Sequence, residues 1–160
     1  MTDARARLAE KYRRMAQLRA TLPSDRPPDA EGRAALKQLA RDYPGALREL
    51  DSLPTDEIAA RLEALERGDD APWMRWMARY HALMRAALHI KARTRGAADL
   101  AQLAAEAGVD EPFARAVAAP AHGRIMAAVF DRLAVEEGLP RQALWDALFP
   151  PRKGPRDYRR

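Results

Sequence analysis

The sequence predicts an all-α protein, a compact orthogonal bundle of about eight helices with a basic C-terminal tail. Val and Ile together number seven among 160 residues, whereas Ala numbers 35 and Leu 18. Helices favour Ala and Leu, and strands favour β-branched residues. Apolar residues also recur at three- and four-residue spacing through most of the chain. Gly and Pro separate these stretches, as expected of short turns between helices.

The first 43 residues are predicted to form two helices joined by a linker. Leu8 and Tyr12 belong to an apolar stripe that marks a first helix over 3–22. The stretch 23–32 is rich in Pro and polar residues and has no period, so it predicts a linker. We expect the N-terminal helix to be loosely attached through this linker. A second helix is predicted to stop before Pro44.

The next segment predicts a turn followed by a third helix. The turn is expected in PGALREL, which starts at Pro44. Thr55 is expected to cap the helix, because a hydroxyl side chain accepts hydrogen bonds from free N–H groups at a helix start. Gly68 predicts its end, since glycine adopts the left-handed conformation that closes many helices.

The longest predicted helix covers 72–95 and measures about 35 Å. Shorter helices bounded by Gly or Pro follow it, at about 98–107, 111–119, 122–137 and 141–149. The interpretation is a single helical domain over 1–149, followed by a flexible basic tail over 150–160.

The central helix is strongly basic. Residues 71–98 contain six Arg and Lys and no Asp or Glu, in a chain whose net charge is +5. A helical winding of 100° per residue places cations on one side and apolar residues on the other. Such a helix is typical of an anion-binding surface. The side chains expected to contact the anion are Arg75, Arg79, Arg85 and Arg93, with His81 and His89 on the same polar side.

The same basic face has an internal explanation. Residues 21–70 and 99–149 are net acidic and could lie beside it. Ion pairs between packed helices would then neutralise the face without any external partner.

The C-terminal tail is a second basic segment, in which Pro and Gly prevent a helix. In contact with nucleic acid it would add affinity without sequence choice. Its cations are Arg152, Lys153, Arg156, Arg159 and Arg160.

Aromatic and Met residues form the opposite, apolar side of the central helix. They either belong to the core or line a groove for a small ligand. The residues concerned are Trp73, Trp76, Met77, Tyr80 and Met84.

Two corners, at 103–117 and 133–149, have the outline of a helix-turn-helix. In each, a helix ends at Gly and a short helix follows. Acidic residues such as Asp110 and Asp146 lie where phosphate or base contacts would be made. We therefore interpret both as packing corners rather than as readers of DNA sequence.

The sequence predicts no enzyme, metal site or cofactor. The chain has no Cys, and it contains no phosphate-binding, zinc-hydrolase or nucleophile-elbow motif. His81 and His89 lie eight residues apart with Arg85 between them, which disfavours a bound cation. The charged N-terminus and the lack of a long apolar run predict a cytoplasmic protein.

The expected function is therefore non-catalytic binding of an anionic macromolecule, nucleic acid by preference, through the basic helix face and the tail. One alternative is a protein–protein interaction or assembly module whose basic helix is neutralised internally. Another is a small-ligand sensor that uses the aromatic and Met groove.

Overall fold

The computed structural model describes residues 3–94, 99–119 and 124–151. These ranges contain nine α-helices and no strand, so the all-α prediction is confirmed. The basic tail from Arg152 onward lies outside them. The helices are α1 Asp3–Thr21, α2 Ala30–Asp42, α3 Ala46–Ser52, α4 Thr55–Arg67, α5 Pro72–Arg93, α6 Leu100–Ala107, α7 Glu111–Ala118, α8 Arg124–Glu137 and α9 Arg141–Leu148.

The predicted turn in PGALREL is wrong, because most of it belongs to helix α3. Gly45 precedes this helix with a φ of 91°, a conformation that suits glycine. Ala46 and Leu50 of α3 are buried. Burial of its apolar side explains a helix too short to be stable by propensity alone.

Two predicted helix starts also shift. Helix α2 begins at Ala30 because the Asp29 side chain accepts a hydrogen bond from the Gly32 N–H at 2.8 Å. The linker is therefore shorter than the predicted 23–32. Helix α4 already includes Thr55, and its N-cap is Pro54, which makes no side-chain capping bond.

The predicted glycine stops are confirmed. Gly68, Gly108 and Gly138 have φ values of 84°, 73° and 65°. After Gly108, the Val109 N–H donates to the Ala104 carbonyl at 2.9 Å, which closes the end of α6.

The chain divides into two compact units. Unit 1 comprises residues 1–78 and 146–160, and unit 2 comprises residues 79–145. This division does not test the single domain expected over 1–149, which stays a prediction. No helix in the described residues is long and apolar enough to cross a bilayer.

Unit 1 is built around α1, which packs against α4 and α2, while α2 also packs against α3. Each helix contributes its apolar stripe to the core. Fully or almost fully buried side chains include Leu8, Tyr12, Met15, Leu39, Leu50, Leu53, Ile58 and Leu65.

In unit 2, α7 packs against both α6 and α8. The unit has an aromatic contact chain in which the Tyr80 and Phe130 rings lie 5.6 Å apart and the Phe130 and Trp145 rings 5.1 Å apart. Its core also includes Leu83, Ala87, Ile90, Phe113, Val117, Val129 and Leu133.

Candidate functional site

The arginines predicted to contact an anion differ in their surroundings. Arg75, Arg85 and Arg93 are exposed on α5. Arg79 is paired with a residue of its own unit 2: its Nε and Nη2 donate to the two carboxylate oxygens of Glu136 at 2.7 and 2.8 Å. Internal neutralisation of the basic helix therefore occurs at Arg79. The predicted tail contacts lie outside the described residues.

Arg79 belongs to a surface ion network made of Arg79, Asp110, Arg132 and Glu136. Arg132 donates to Glu136 at 3.0 Å and forms an ion pair with Asp110. The network connects α5, α8 and the N-cap of α7. The hydrogen bond from Arg79, followed by that from Arg132, lowers the pKa of Glu136 below its ordinary value of 4.5.

The two helix-turn-helix-like corners use their charged residues internally. The Asp110 side chain accepts a hydrogen bond from the Phe113 N–H at 2.9 Å, which caps α7. At the second corner, Arg141 donates to Asp131 at 2.6 Å. These contacts favour the interpretation of both corners as packing devices.

The two histidines of α5 also differ. The expectation that His81 lies on the exposed polar side is wrong, because it is only 5% exposed. His89 is partly exposed, and its Nε2 lies 3.5 Å from a carboxylate oxygen of Glu106. Among the described residues, no group of three or more potential ligands is placed to hold a metal ion.

The residues of the predicted groove are largely buried. Met77 and Tyr80 are 0% exposed and Met84 is 7% exposed. Trp73 is partly exposed, with its ring 5.9 Å from that of Tyr12 in an edge-to-face contact. This burial favours the core interpretation over a ligand groove.

A buried charge cluster made of Lys11, Tyr12, Glu49 and Arg61 lies in the core of unit 1. The Glu49 carboxylate accepts hydrogen bonds from Arg61 Nη1 at 3.1 Å and from the Tyr12 hydroxyl, and it forms an ion pair with Lys11. Arg61 also donates to the Ala147 carbonyl at 3.2 Å. The carboxylate thus has three donors in the protein interior, as a buried ion requires.

The buried charge cluster is closed to solvent. Lys11, Tyr12 and Glu49 are 0% exposed and Arg61 is 7% exposed. Burial lowers the pKa of Lys11 below its ordinary value of 10.5, against the opposing effect of Glu49. Burial and Glu49 together raise the pKa of Tyr12 well above 10.0. Since a substrate could not reach these groups, we assign the cluster to packing rather than to catalysis.

The sequence contains a signal for this cluster in the apolar stripes of α1 and α4. Lys11 follows Leu8 by three residues and precedes Met15 by four, which places it on the apolar stripe of α1. Arg61 has the same relation to Ile58 and Leu65 on α4. A charged residue in an apolar stripe predicts a buried ion that needs a partner.

The exposed side of α2 carries a cationic stripe made of Arg33, Lys37 and Arg41. All three side chains are exposed. Residues four apart on a helix lie about 6 Å from each other, so the three cations form a row. Arg33 donates to the Pro28 carbonyl at 2.9 Å. Within the described residues, neither Lys37 nor Arg41 forms a hydrogen bond or an ion pair.

Acidic residues near the α2 cationic stripe are engaged elsewhere. Asp42 accepts hydrogen bonds from Arg14 at 2.7 Å and from Gln38 at 3.0 Å. Arg41 contributes to the lowered pKa of Asp42 only after those hydrogen bonds. Several other exposed arginines of unit 1 are paired; for example, Arg13 contacts Glu10 and Arg67 contacts Glu63. The stripe was missed because residues 21–70 are acidic as a block.

Unit 1 also contains a partly open cavity of about 650 Å³. It lies between the C-terminal half of α1, the segment that connects α1 to α2, and the first turns of α2. Its apolar lining includes Leu18, Leu22 and Ala35. It does not include the residues of the predicted groove on α5.

Comparison of the chain with known protein families, curated proteins and solved structures finds no match. The function of the protein must therefore be inferred from the geometry of the chain itself.

Proposed function

We propose that this protein binds an anionic macromolecule, nucleic acid by preference, without catalysis, and that the α2 cationic stripe is its principal contact. The observation that carries the proposal is the exposure of Lys37 and Arg41, neither of which forms an ion pair or a hydrogen bond within the described residues. Arg33 extends the row by one helical turn. Three cations in a row can each neutralise one phosphate and release its counterions.

The composition of the exposed side of α2 favours nucleic acid over a membrane surface. The residues beside the cations on this side of the helix include Ala30 and Ala34, which are small and exposed. A helix that lies on a bilayer needs large apolar or aromatic side chains to enter the lipid. The stripe consists of cations in a single row, which suits the regularly spaced oxygens of a phosphate backbone, so we assign its contacts to phosphate.

The exposed arginines Arg75, Arg85 and Arg93 and the basic tail remain part of the proposal as additional contacts. Arg79 is less suited to this role, because Glu136 would have to release it. Each further phosphate contact would steepen the salt dependence of binding by about one unit of log–log slope.

Salt-dependent binding tests the proposal. We expect the wild-type protein to bind labelled duplex and single-stranded DNA of mixed sequence. If three phosphates are neutralised, a log–log plot of affinity against salt should be as steep as or steeper than about −2.7 for duplex and −2.1 for single strands. The double variant K37Q/R41Q should flatten the duplex slope by about 1.8. Fluorescence anisotropy measures both.

A matched control is R13Q/R67Q, which removes the same net charge from unit 1. The side chains of Arg13 and Arg67 are 52% and 55% exposed, but both are paired with acids. We expect the control to keep the wild-type slope. Equal losses in the two variants would mean that net charge alone drives binding, and the assignment to α2 would be wrong.

Two results would end the nucleic-acid proposal itself. One is the absence of binding by wild-type protein to either form of DNA at low salt. The other is tighter binding to polyglutamate than to DNA, which would identify an acidic protein as the partner.

The second candidate function is a protein–protein interaction or assembly module. The bidentate pair between Arg79 and Glu136 supports it, because part of the basic helix is already neutralised within unit 2. Under this proposal R79Q would lower the stability of the protein and leave DNA affinity at its wild-type value. Light scattering over a concentration series would test for self-assembly, and a purely monomeric protein would exclude assembly with its own copies.

A further inference from the structure

The cavity beside α2 has the size and shape of a small-ligand site. Its volume of about 650 Å³ lies in the middle of the range of about 300–1,000 Å³ found for ligand pockets. Its walls come from unit 1 alone. It faces the side of α2 opposite the cationic stripe, because Ala35 and Gln38 line it whereas Lys37 does not.

The apolar part of the cavity is already formed. Leu18, Leu22 and Ala35 supply apolar surface from three consecutive parts of the chain. At Gly32 the absence of a side chain permits close packing: a Cβ there would lie 3.0 Å from both Leu22 and Pro28. The wall on that side is therefore held tightly against α2, as a preorganised site requires.

Most polar groups around the cavity already bond to the protein. Arg14 donates to Asp42 at 2.7 Å and stacks on the Tyr43 ring. Thr21 donates to the Gln17 carbonyl at 3.0 Å, and Asp29 caps α2.

Three polar side chains on the lining keep bonding capacity for a ligand. Within the part of the chain that the structure describes, the only polar partner of Arg26 is its exposed neighbour Asp25, at 3.5 Å. Glu31 and Gln17 form no side-chain hydrogen bond within the described residues. The cavity thus offers one cation, one carboxylate and one neutral amide around an apolar floor.

We propose that the cavity binds a short apolar peptide with free termini. Arg26 would hold the peptide carboxylate, Glu31 the terminal ammonium and Gln17 the amide, while apolar side chains contact Leu18 and Leu22. A ligand with both charges suits this lining because Arg26 and Glu31 have opposite signs. The volume suits a dipeptide better than a single amino acid. This site is independent of the proposed nucleic-acid contact.

Isothermal titration with leucyl-leucine tests the proposal. We expect saturable binding at one site, and no detectable binding of a leucyl-leucine whose termini are acetylated and amidated. R26Q and E31Q should each weaken binding by about tenfold or more, because each removes one charge-assisted hydrogen bond. The circular dichroism spectrum of each variant checks its fold.

A pair of size variants separates the cavity from the rest of the surface. A35F places a ring in the cavity, whereas A34F places the same ring on the exposed side of α2 next to it. We expect A35F to abolish binding and A34F to leave it unchanged. If A35F fails to fold, the cavity-lining variant L18F replaces it.

Three outcomes would overturn the proposal. They are the absence of saturable binding, equal binding of the capped and uncapped peptides, and equal loss in A34F and A35F. DNA affinity should be unaffected by R26Q and E31Q together, which change no net charge, so failure here leaves the α2 cationic stripe untouched.

Discussion

The buried charge cluster of unit 1 and the surface ion network of unit 2 are both built on a carboxylate that accepts bonds from cationic side chains. One carboxylate is buried and the other is partly exposed to solvent. Glu49 is 0% exposed and has three donors. The side chain of Glu136 is 27% exposed and accepts from two arginines. Water can replace a lost partner at Glu136 but not at Glu49. The net stabilisation from each bond is therefore similar at the two sites. The free-energy cost of removing one partner is much larger at the buried site.

The largest effect is expected for E49A. The substitution leaves Lys11 and Arg61 as buried cations without their shared carboxylate, and breaking a buried pair in this way costs about 3–5 kcal/mol. Urea unfolding of both proteins measures the change. The matched control is E57A, because Glu57 also contacts Arg61 but its side chain is 48% exposed. An E49A cost no greater than that of E57A would contradict the comparison.

A smaller effect, with a pH signature, is expected for K11M. Glu49 keeps Arg61 and Tyr12 as partners, so we expect a cost of about 1–3 kcal/mol near neutral pH. The pKa of Lys11 is lower in the folded protein than in the unfolded chain, whose value is near 10.5. In the window between these values the unfolded chain binds more protons, so wild-type stability rises with pH there.

The pH test for K11M compares its stability with that of the wild type at several pH values below 10. We expect the rise with pH to disappear in the variant, since it lacks the titrating amine. The measurement stays below pH 10 because the raised pKa of Tyr12 makes stability fall as pH rises beyond that value. Parallel curves for the two proteins would exclude Lys11 as the source of the rise.

The smallest effect is expected for E136Q in the surface ion network. Exposed pairs contribute less than about 1 kcal/mol and are weakened by salt. Because the folded pKa of Glu136 lies below 4.5, its contribution is present above that pH and is lost as the pH falls through the folded value. Thermal unfolding at low and high salt, and at acid and neutral pH, measures this. A loss as large as that of E49A would remove the distinction between the two sites.

Local signals in the sequence predicted most of the fold. The glycine stops at Gly68, Gly108 and Gly138 and the 3.6-residue apolar period do not depend on distant residues. Helix α3 was missed because its stability depends on burial of Ala46 and Leu50 against other helices, which only the folded chain provides.

The candidate sites were less predictable, for two physical reasons. The net charge summed over a long segment does not show where single charges lie on a helix. Residues 21–70 are net acidic, and this sum concealed the row formed by Arg33, Lys37 and Arg41. The residue spacing within one helix also cannot identify which residue of a distant helix completes an ion pair. The sequence suggested that the basic helix is neutralised by ion pairs within the protein. It did not identify Glu136, 57 residues away, as the partner of Arg79.

The contact between Arg61 and the Ala147 carbonyl has a consequence for how the chain is made. Unit 1 takes its first 78 residues from the start of the chain and the rest from residue 146 onward. A ribosome adds about 5–20 residues per second, so roughly 3–14 s pass between the synthesis of these two parts. During that delay the nascent unit 1 lacks its final segment, and the guanidinium of Arg61 lacks that acceptor. We expect this interval to be when the newly made protein is most exposed to proteases and chaperones.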